Sequence, residues 1–124
     1  MQSRELSGVV AQHVAAVNAG DVDAVVETFA PDAYVNDARR EMRGLDAIRA
    51  WVTKEMVGDN VTLDVCEVID HYGDTIVRAR YDGTFDKSTL PDELVLTNYF
   101  SMRDGKIVSL VVIFNQPSPY GAPA

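Results

Sequence analysis

The stretch Leu94-Val95-Leu96-Thr97-Asn98-Tyr99-Phe100-Ser101-Met102-Arg103-Asp104-Gly105-Lys106-Ile107-Val108-Ser109-Leu110-Val111-Val112-Ile113-Phe114-Asn115 decides the architecture. Two runs rich in β-branched and aromatic residues flank Asp104-Gly105, a dipeptide whose readiness for positive φ makes it a strong hairpin signal. A two-residue turn there pairs Arg103 with Lys106, and hence Tyr99 with Leu110, Thr97 with Val112 and Val95 with Phe114. Working back, Asp86–Glu93 with its Pro91 reads as loop, and Thr75–Phe85 as another strand. Before the Gly73-Asp74 turn, Val61–Tyr72 sets Val61, Leu63, Val65 and Ile69 against Thr62, Asp64, Cys66, Val68 and Asp70, the period of two expected of a strand. Beyond the hairpin, Gln116–Ala124 carries Pro117, Pro119 and Pro123 and reads as an extended tail.

The first half of the chain changes period. From Arg4 to Ala19, Leu6, Val10, His13, Val14 and Val17 recur at three- and four-residue steps, one face of an amphipathic helix, with Gly20 as its left-handed stop. Asp21 is the N-cap of a second helix that turns Val22, Val25, Val26 and Phe29 inward and ends at Ala30-Pro31-Asp32. Ala33 to Asp37 alternates as a short strand with Ala33, Val35 and Asp37 on one side, and Ala38–Glu41 reads as a polar turn. A third helix spans Leu45 to about Val57, its stripe being Leu45, Ile48, Val52 and either Glu55 or Met56, with Trp51 at the edge. Three helices followed by a meander of long antiparallel strands is an α+β pattern. A strongly curved sheet wrapped around the helices leaves an apolar cavity between the layers.

The 124 residues, 47% hydrophobic and 24% charged, support one domain. Eleven basic against 19 acidic residues give a net charge of -8, which disfavours nucleic acid and anionic membrane surfaces as partners. No apolar run approaches the roughly 20 residues needed to cross a bilayer, and the N-terminus has no signal-peptide stretch, so a cytoplasmic protein is expected. Cys66 alone excludes an internal disulfide and reads as a buried, inert thiol. His13 and His71 lie on different elements with no ligand spacing, and no phosphate-binding glycine loop or Gly-x-Ser-x-Gly elbow is present. Neither a metal nor a cofactor is therefore expected.

Asn18-Ala19-Gly20-Asp21-Val22-Asp23-Ala24, Phe29-Ala30-Pro31-Asp32-Ala33, Val35-Asn36-Asp37 and Gly44-Leu45-Asp46-Ala47-Ile48-Arg49-Ala50-Trp51, closed by Gly105-Lys106-Ile107 and Phe114-Asn115-Gln116-Pro117, resemble the SnoaL-like branch of the NTF2-like superfamily. The resemblance covers nearly the whole chain. It implies one cone-shaped (cystatin-like) α+β domain, with three N-terminal helices on a strongly curved, mostly antiparallel sheet. It also implies a homodimer packed through the outer sheet face. On the last strand that face reads Ile107, Ser109, Val111 and Ile113, an apolar surface that water alone covers poorly; the tail is the alternative cover.

Function is less specific, since the superfamily holds ketosteroid isomerases, polyketide cyclases, epoxide hydrolases, dehydratases and members with no activity. Asp37 is the leading candidate. If Val35 faces inward Asp37 does too, and a carboxylate on an apolar wall has its charged form disfavoured, which suits a general base. In the isomerases the base is an Asp after a Val-x-Asp strand, and Asp37 is the residue that matches. The plain alternative is an Asp that caps the turn after it. His13, on the inward helix face, is either a core histidine or, by position relative to Gly20-Asp21, the counterpart of the isomerases' oxyanion-binding Tyr. Phe114 aligns with a pocket aromatic, and through the hairpin pairing it brings Tyr99 and Thr97 to the same face, with Tyr99 where the isomerases carry a protonated Asp. The pocket-lining set is then Val35, Trp51, Val95, Thr97, Leu110, Val112 and Phe114. Arg78 and Arg80 read as a solvated or dimer-facing stripe beside Asp64 and Glu67, with an anion anchor in the cavity or an Arg–Asp pair that activates water as the sharper alternative.

Three functions stand at this point. The first is a cofactor-independent isomerase, cyclase or dehydratase that acts on a small hydrophobic carbonyl compound, with Asp37 as base and His13 and Tyr99 holding the oxyanion. The second is a non-catalytic module that sequesters a hydrophobic ligand. The third is a dimerisation scaffold whose interior is filled by Trp51, Met56 and Phe100.

Overall fold

A computed structural model describes residues 2–3 and 6–114 of the chain; the tail expected over Gln116–Ala124 lies outside the described residues. In chain order the elements are β1 (Gln2–Ser3), α1 (Gly8–Ala19), α2 (Val22–Glu27), β2 (Phe29–Asp37), β3 (Arg40–Arg43) and α3 (Gly44–Trp51). A π-helical turn (Val52–Val57) continues α3, and β4 (Thr62–His71), β5 (Asp74–Asp82), β6 (Val95–Arg103) and β7 (Lys106–Phe114) follow. They form an α+β fold in which one curved sheet, ordered β1-β4-β5-β6-β7-β2-β3, wraps the helices. All neighbours are antiparallel except β2 and β7. Only two helices precede the first long strands. The third enters after the β2–β3 hairpin, which corrects the expected run of three N-terminal helices.

Local chemistry explains most boundaries. Gly20 ends α1 at φ 68°, and Asp21 caps α2 by accepting from the Ala24 amide at 3.0 Å. At the α2–β2 joint, Thr28 is fixed from both sides, its N–H bonded to the Val25 carbonyl and its own carbonyl accepting from the Ile107 amide at 2.8 Å. Strand β2 starts at Phe29, earlier than Pro31 suggested. Its pairing with β7 is irregular between Phe29 and Tyr34, where a residue without an amide hydrogen costs no ladder bond.

The segment read as a polar turn is the hairpin β2–β3. Ala38 and Arg39 both take positive φ (51° and 77°), the geometry of a tight hairpin turn normally given to Asn or Gly. The Asn36 side chain supports it by accepting from the Arg39 amide at 2.8 Å. After Trp51 the helix widens, and Gly58 closes it with an N–H bond to the Thr53 carbonyl at 2.9 Å. A Cβ at Gly58 would lie 2.3 Å from the Lys54 carbonyl oxygen, so this closure requires glycine.

Two bulges decide which residues face the helices. On β4, Val65 pairs with Ala79 and Glu67 with Arg78, so Cys66 is the extra residue and Val68 is buried opposite Val77 where Ile69 was expected. Cys66 is half-buried, not sealed in the core, and Arg80 Nη1 lies 3.1 Å from its Sγ. On β7, Ser101 pairs with Ser109 and Met102 with Ile107, so Val108 is extra. The turn pairs Arg103 with Lys106 as expected, but beyond the bulge Tyr99 opposes Val111, Thr97 opposes Ile113 and Asn98 opposes Val112.

The core is built from Val10, Val14 and Val17 of α1, Ile48, Trp51 and Val52 of α3 and its extension, and Val35, Val77, Phe100, Ile107 and Leu110 of the sheet. Ile107 is 0% exposed and belongs to this core, not to the outer face to which unbroken alternation assigned it. On that outer face Tyr99 and Ile113 remain 39% and 45% exposed. No described helix is long and apolar enough to cross a membrane.

The bulge at Val108 is testable through Ile107. An inward Ile107 makes Ile107→Ala cost about 2–5 kcal/mol in urea denaturation, whereas an outward residue on an exposed face costs about 0.5 kcal/mol or less.

Candidate functional site

Between helices and sheet lies a cavity of about 200 Å³. Its floor is Leu96, Leu110 and Val112 of the sheet, its side Trp51, Glu55, Met56 and Asp59 of the α3 region, and its roof Phe85, Leu90 and Leu94 of the segment that joins β5 to β6. The polar atoms in its wall come from His13, Asp37, Glu55, Asp59, Tyr81 and Asn98. The volume is below the 300–1,000 Å³ of drug-sized sites, so a compact ligand or part of a larger one fits. Trp51 and Met56 line the space and Phe100 packs below it, so the interior is not filled as the scaffold reading required.

Asp37 is the last residue of β2, paired with Val112 of β7, and the alternation that buries Ala33 and Val35 carries its side chain to the cavity. The surroundings are more polar than an apolar wall. Oδ2 accepts from Trp51 Nε1 at 3.0 Å and from Arg40 Nη2 at 2.8 Å, while Oδ1 has no hydrogen-bond partner among the described residues. Arg40 also grips both oxygens of Glu55, at 2.6 and 2.8 Å. Those bonds, with the charges of Asp37 and Glu55, push the guanidinium's pKa upward against the opposing effect of partial burial. Arg40 is over half exposed, so this bridge contributes little stability; its effect is to fix two carboxylates on one side of the cavity. The widened turn after Trp51 presents both Glu55 and Met56, which a regular helical stripe forced into a choice.

His13 is 3% exposed, its ring edge-on to Phe29 and Phe100 with centroids 5.4 Å away in each case. Nδ1 lies 3.0 Å from the Thr28 hydroxyl. Burial pushes the imidazole pKa down to about 4, so at neutral pH it carries no charge.

Tyr81 lines the cavity and donates to Asn98 Oδ1 at 2.6 Å, while Asn98 Nδ2 donates to the Val77 carbonyl at 3.2 Å. Burial raises the phenol above its ordinary pKa, so Tyr81 keeps its proton.

Several sequence-derived placements change. Tyr99 does not reach the cavity, because the Val108 bulge turns it to the outer face opposite Ile76 and Val111. Thr97 and Val95 follow it, opposite Arg78 and Arg80, and are buried on that side of the sheet. Val35 is sealed in the core beneath the cavity, and Phe114 lies beyond its edge, beside Ala38 and Arg39. Asp37, His13, Trp51, Leu110 and Val112 do come together around one space. Arg78 is paired with Glu67, and Arg80 with Glu93 at 2.6 Å, so both belong to the outer stripe and neither anchors an anion in the cavity. Among the missed residues, Tyr81 was legible, since it alternates with Val77 and Ala79 against Arg78 and Arg80. Asn98 was hidden by the bulge, and Arg40 by a hairpin without glycine.

With the site described, comparison with known proteins defines its class. The profile of the SnoaL-like domain matches residues 10–110, and the chain belongs to this family. A candidate polyketide cyclase from Sinorhizobium meliloti shares 30% identity over 87% of this chain and 95% of its own, with a TM-score of 0.78. SalBIII, an epoxide hydrolase/cyclase-like enzyme of pyran ring formation in the polyether salinomycin, shares 24% identity over 88% and 89%, with a TM-score of 0.76. A protein of ketosteroid isomerase-like fold from Catenulispora acidiphila, in complex with trimethylamine, shares 20% identity over 86% and 85%, with a TM-score of 0.72. No curated protein matches the chain.

The buried imidazole makes stability depend on pH. The folded chain keeps His13 neutral down to about pH 4, whereas the unfolded chain protonates it near 6.5, so between these values the unfolded state binds more protons. Stability therefore falls as pH drops through this window, by about 3 kcal/mol, and is retained above it. Urea denaturation of wild type and His13→Gln at pH 7 and pH 4 should show this extra acid loss only in the wild type.

Proposed function

We propose that the protein is a cofactor-independent isomerase, cyclase or dehydratase that acts on a small hydrophobic carbonyl compound, with Asp37 as the general base. The observation that carries this reading is a carboxylate held by one oxygen only. Trp51 and Arg40 fix Oδ2, which leaves Oδ1 to take a proton from a ligand in a mainly apolar cavity.

The proton on the carbon next to the carbonyl passes to Asp37 Oδ1, and the electron pair moves onto the carbonyl oxygen. Tyr81, not Tyr99, is the phenol within the cavity. Its O–H exchanges Asn98 Oδ1 for the developing oxyanion. Return of the proton to another carbon completes an isomerisation. Attack of the enolate carbon on a second carbonyl, whose alkoxide takes the proton back from Asp37, completes a cyclisation, and loss of a β-hydroxyl with that proton as water completes a dehydration. The 30% identity to a candidate polyketide cyclase supports the same reaction class.

Proton abstraction has a readout that needs no natural substrate. With 2-tetralone in D₂O, followed by NMR, wild type should exchange the α-hydrogens faster than Asp37→Asn by about 10²–10⁴-fold. Equal rates in the two proteins refute the base assignment. A raised melting temperature with 2-tetralone and no exchange points instead to a ligand-binding module.

The family likeness also supports a homodimer through the outer face that carries Tyr99 and Ile113. Sedimentation at twice the monomer mass, reduced to the monomer by Ile113→Lys, is the expected result.

A further inference from the structure

We infer that the cavity selects a hydroxylated ligand, whose O–H donates to Nε2 of His13, and that Thr28 is the positioning residue that keeps this nitrogen free of a proton. The inference rests on the cavity being the ligand site, as proposed above, and adds the substrate class.

The argument is an accounting of hydrogens. Thr28 Oγ1 lies 2.6 Å from the Val25 carbonyl oxygen. A carbonyl has no hydrogen to give, and two oxygens at this distance repel unless a hydrogen sits between them, so the hydroxyl spends its single hydrogen on Val25. The same oxygen lies 3.0 Å from His13 Nδ1 and has no second hydrogen to offer. Nδ1 must therefore be the donor. A neutral imidazole carries one N–H, so once Nδ1 holds it Nε2 is a bare lone pair. Burial, which keeps the ring neutral, is consistent with this tautomer.

The position of Nε2 follows from a second observation. No described side-chain nitrogen or oxygen is both sealed from solvent and unpartnered. Nε2 has no partner among the described residues, and His13 lines the cavity, so the lone pair opens into that space. This reverses the role expected from the sequence, in which His13 donates to an oxyanion. Asp37 Oδ1, in the reading above, meets a C–H of the ligand, so Nε2 is the point of the wall that calls for a hydrogen-bond donor. A plain hydrocarbon ketone such as 2-tetralone can meet Asp37 and Tyr81 but leaves Nε2 unpaired. A ligand with at least one hydroxyl beside its carbonyl, a hydroxy ketone or an enol, places a donor on His13 while the carbonyl meets Tyr81. An apolar isostere in its place leaves Nε2 desolvated and unpaired.

Two measurements test this, and neither depends on turnover. Long-range ¹H–¹⁵N spectra of the full chain at pH 7 should place the His13 hydrogen on Nδ1; a hydrogen on Nε2 overturns the inference. Phenol and toluene, similar in shape, are then titrated. Wild type should prefer phenol by about fivefold or more, although the apolar lining by itself favours toluene. Thr28→Val, which keeps the volume and removes the acceptor, should move the hydrogen to Nε2 in the same spectra, while Thr28→Ser should keep it on Nδ1 and retain the phenol preference. If Thr28→Val fails to fold, the wild-type spectrum and the Thr28→Ser titration still decide. A hydrogen that stays on Nδ1 in folded Thr28→Val overturns the role of Thr28. Failure of these tests leaves the Asp37 assignment standing, and failure of the deuterium-exchange test leaves the tautomer standing.

Discussion

A strand shows successive side chains to opposite faces, so one inserted residue exchanges everything beyond it. Two such insertions, Cys66 on β4 and Val108 on β7, set which side chains of the antiparallel strands face the helices, and the site depends on them. The Val108 insertion brings Ile107 into the core at one end of the hairpin and Asn98 to the cavity at the other, while Tyr99 is sent to the outer face. Bulges also bend the strands that carry them, and a bent sheet closes around helices without meeting them everywhere. The hollow is what remains between the two layers.

The polar part of that hollow is held in place by groups that do not themselves face a ligand. Arg40 is largely in water, and its ion pairs contribute little to folding, yet it fixes Asp37 and Glu55 relative to each other. Thr28 sits at a joint already tied by two backbone bonds, so its hydroxyl has little freedom and the imidazole above it inherits that rigidity. Positions defined to a few tenths of an ångström are what proton transfer and selective binding require. Here the short contacts of Asp37 with Trp51 and Arg40, and of His13 with Thr28, supply them.

Much of this was legible from the residues. Alternation from Ala33 through Val35 placed Asp37 inward, and helical spacing placed His13 beside Val10, Val14 and Val17. The Asp104-Gly105 turn fixed the pairing nearest to it. The errors began where a local rule was extended across an irregularity. Counting on from Arg103–Lys106 gave Tyr99 the place that Asn98 holds, because nothing in Ile107-Val108-Ser109 marks a bulge. The β2–β3 hairpin escaped notice because Ala38 and Arg39 adopt a conformation that their type does not advertise, supported by the Asn36 side chain. Glu55 and Met56 appeared to compete for one position, and the π-helical turn gives the cavity both.

The sequence by itself settled what near neighbours decide: the longer helices and strands, the caps at Gly20 and Asp21, the inward faces of α1 and β2, and the family that goes with them. Only the tertiary structure decided the face each half of the last hairpin presents, the partners of Asp37, and the contact between His13 Nδ1 and the Thr28 hydroxyl. Periodicity and capping act over one or two turns of chain, and sequence records them directly. A bulge, or a hydrogen bond between residues 15 positions apart such as His13 and Thr28, is fixed by the fit of whole layers, which no local pattern encodes.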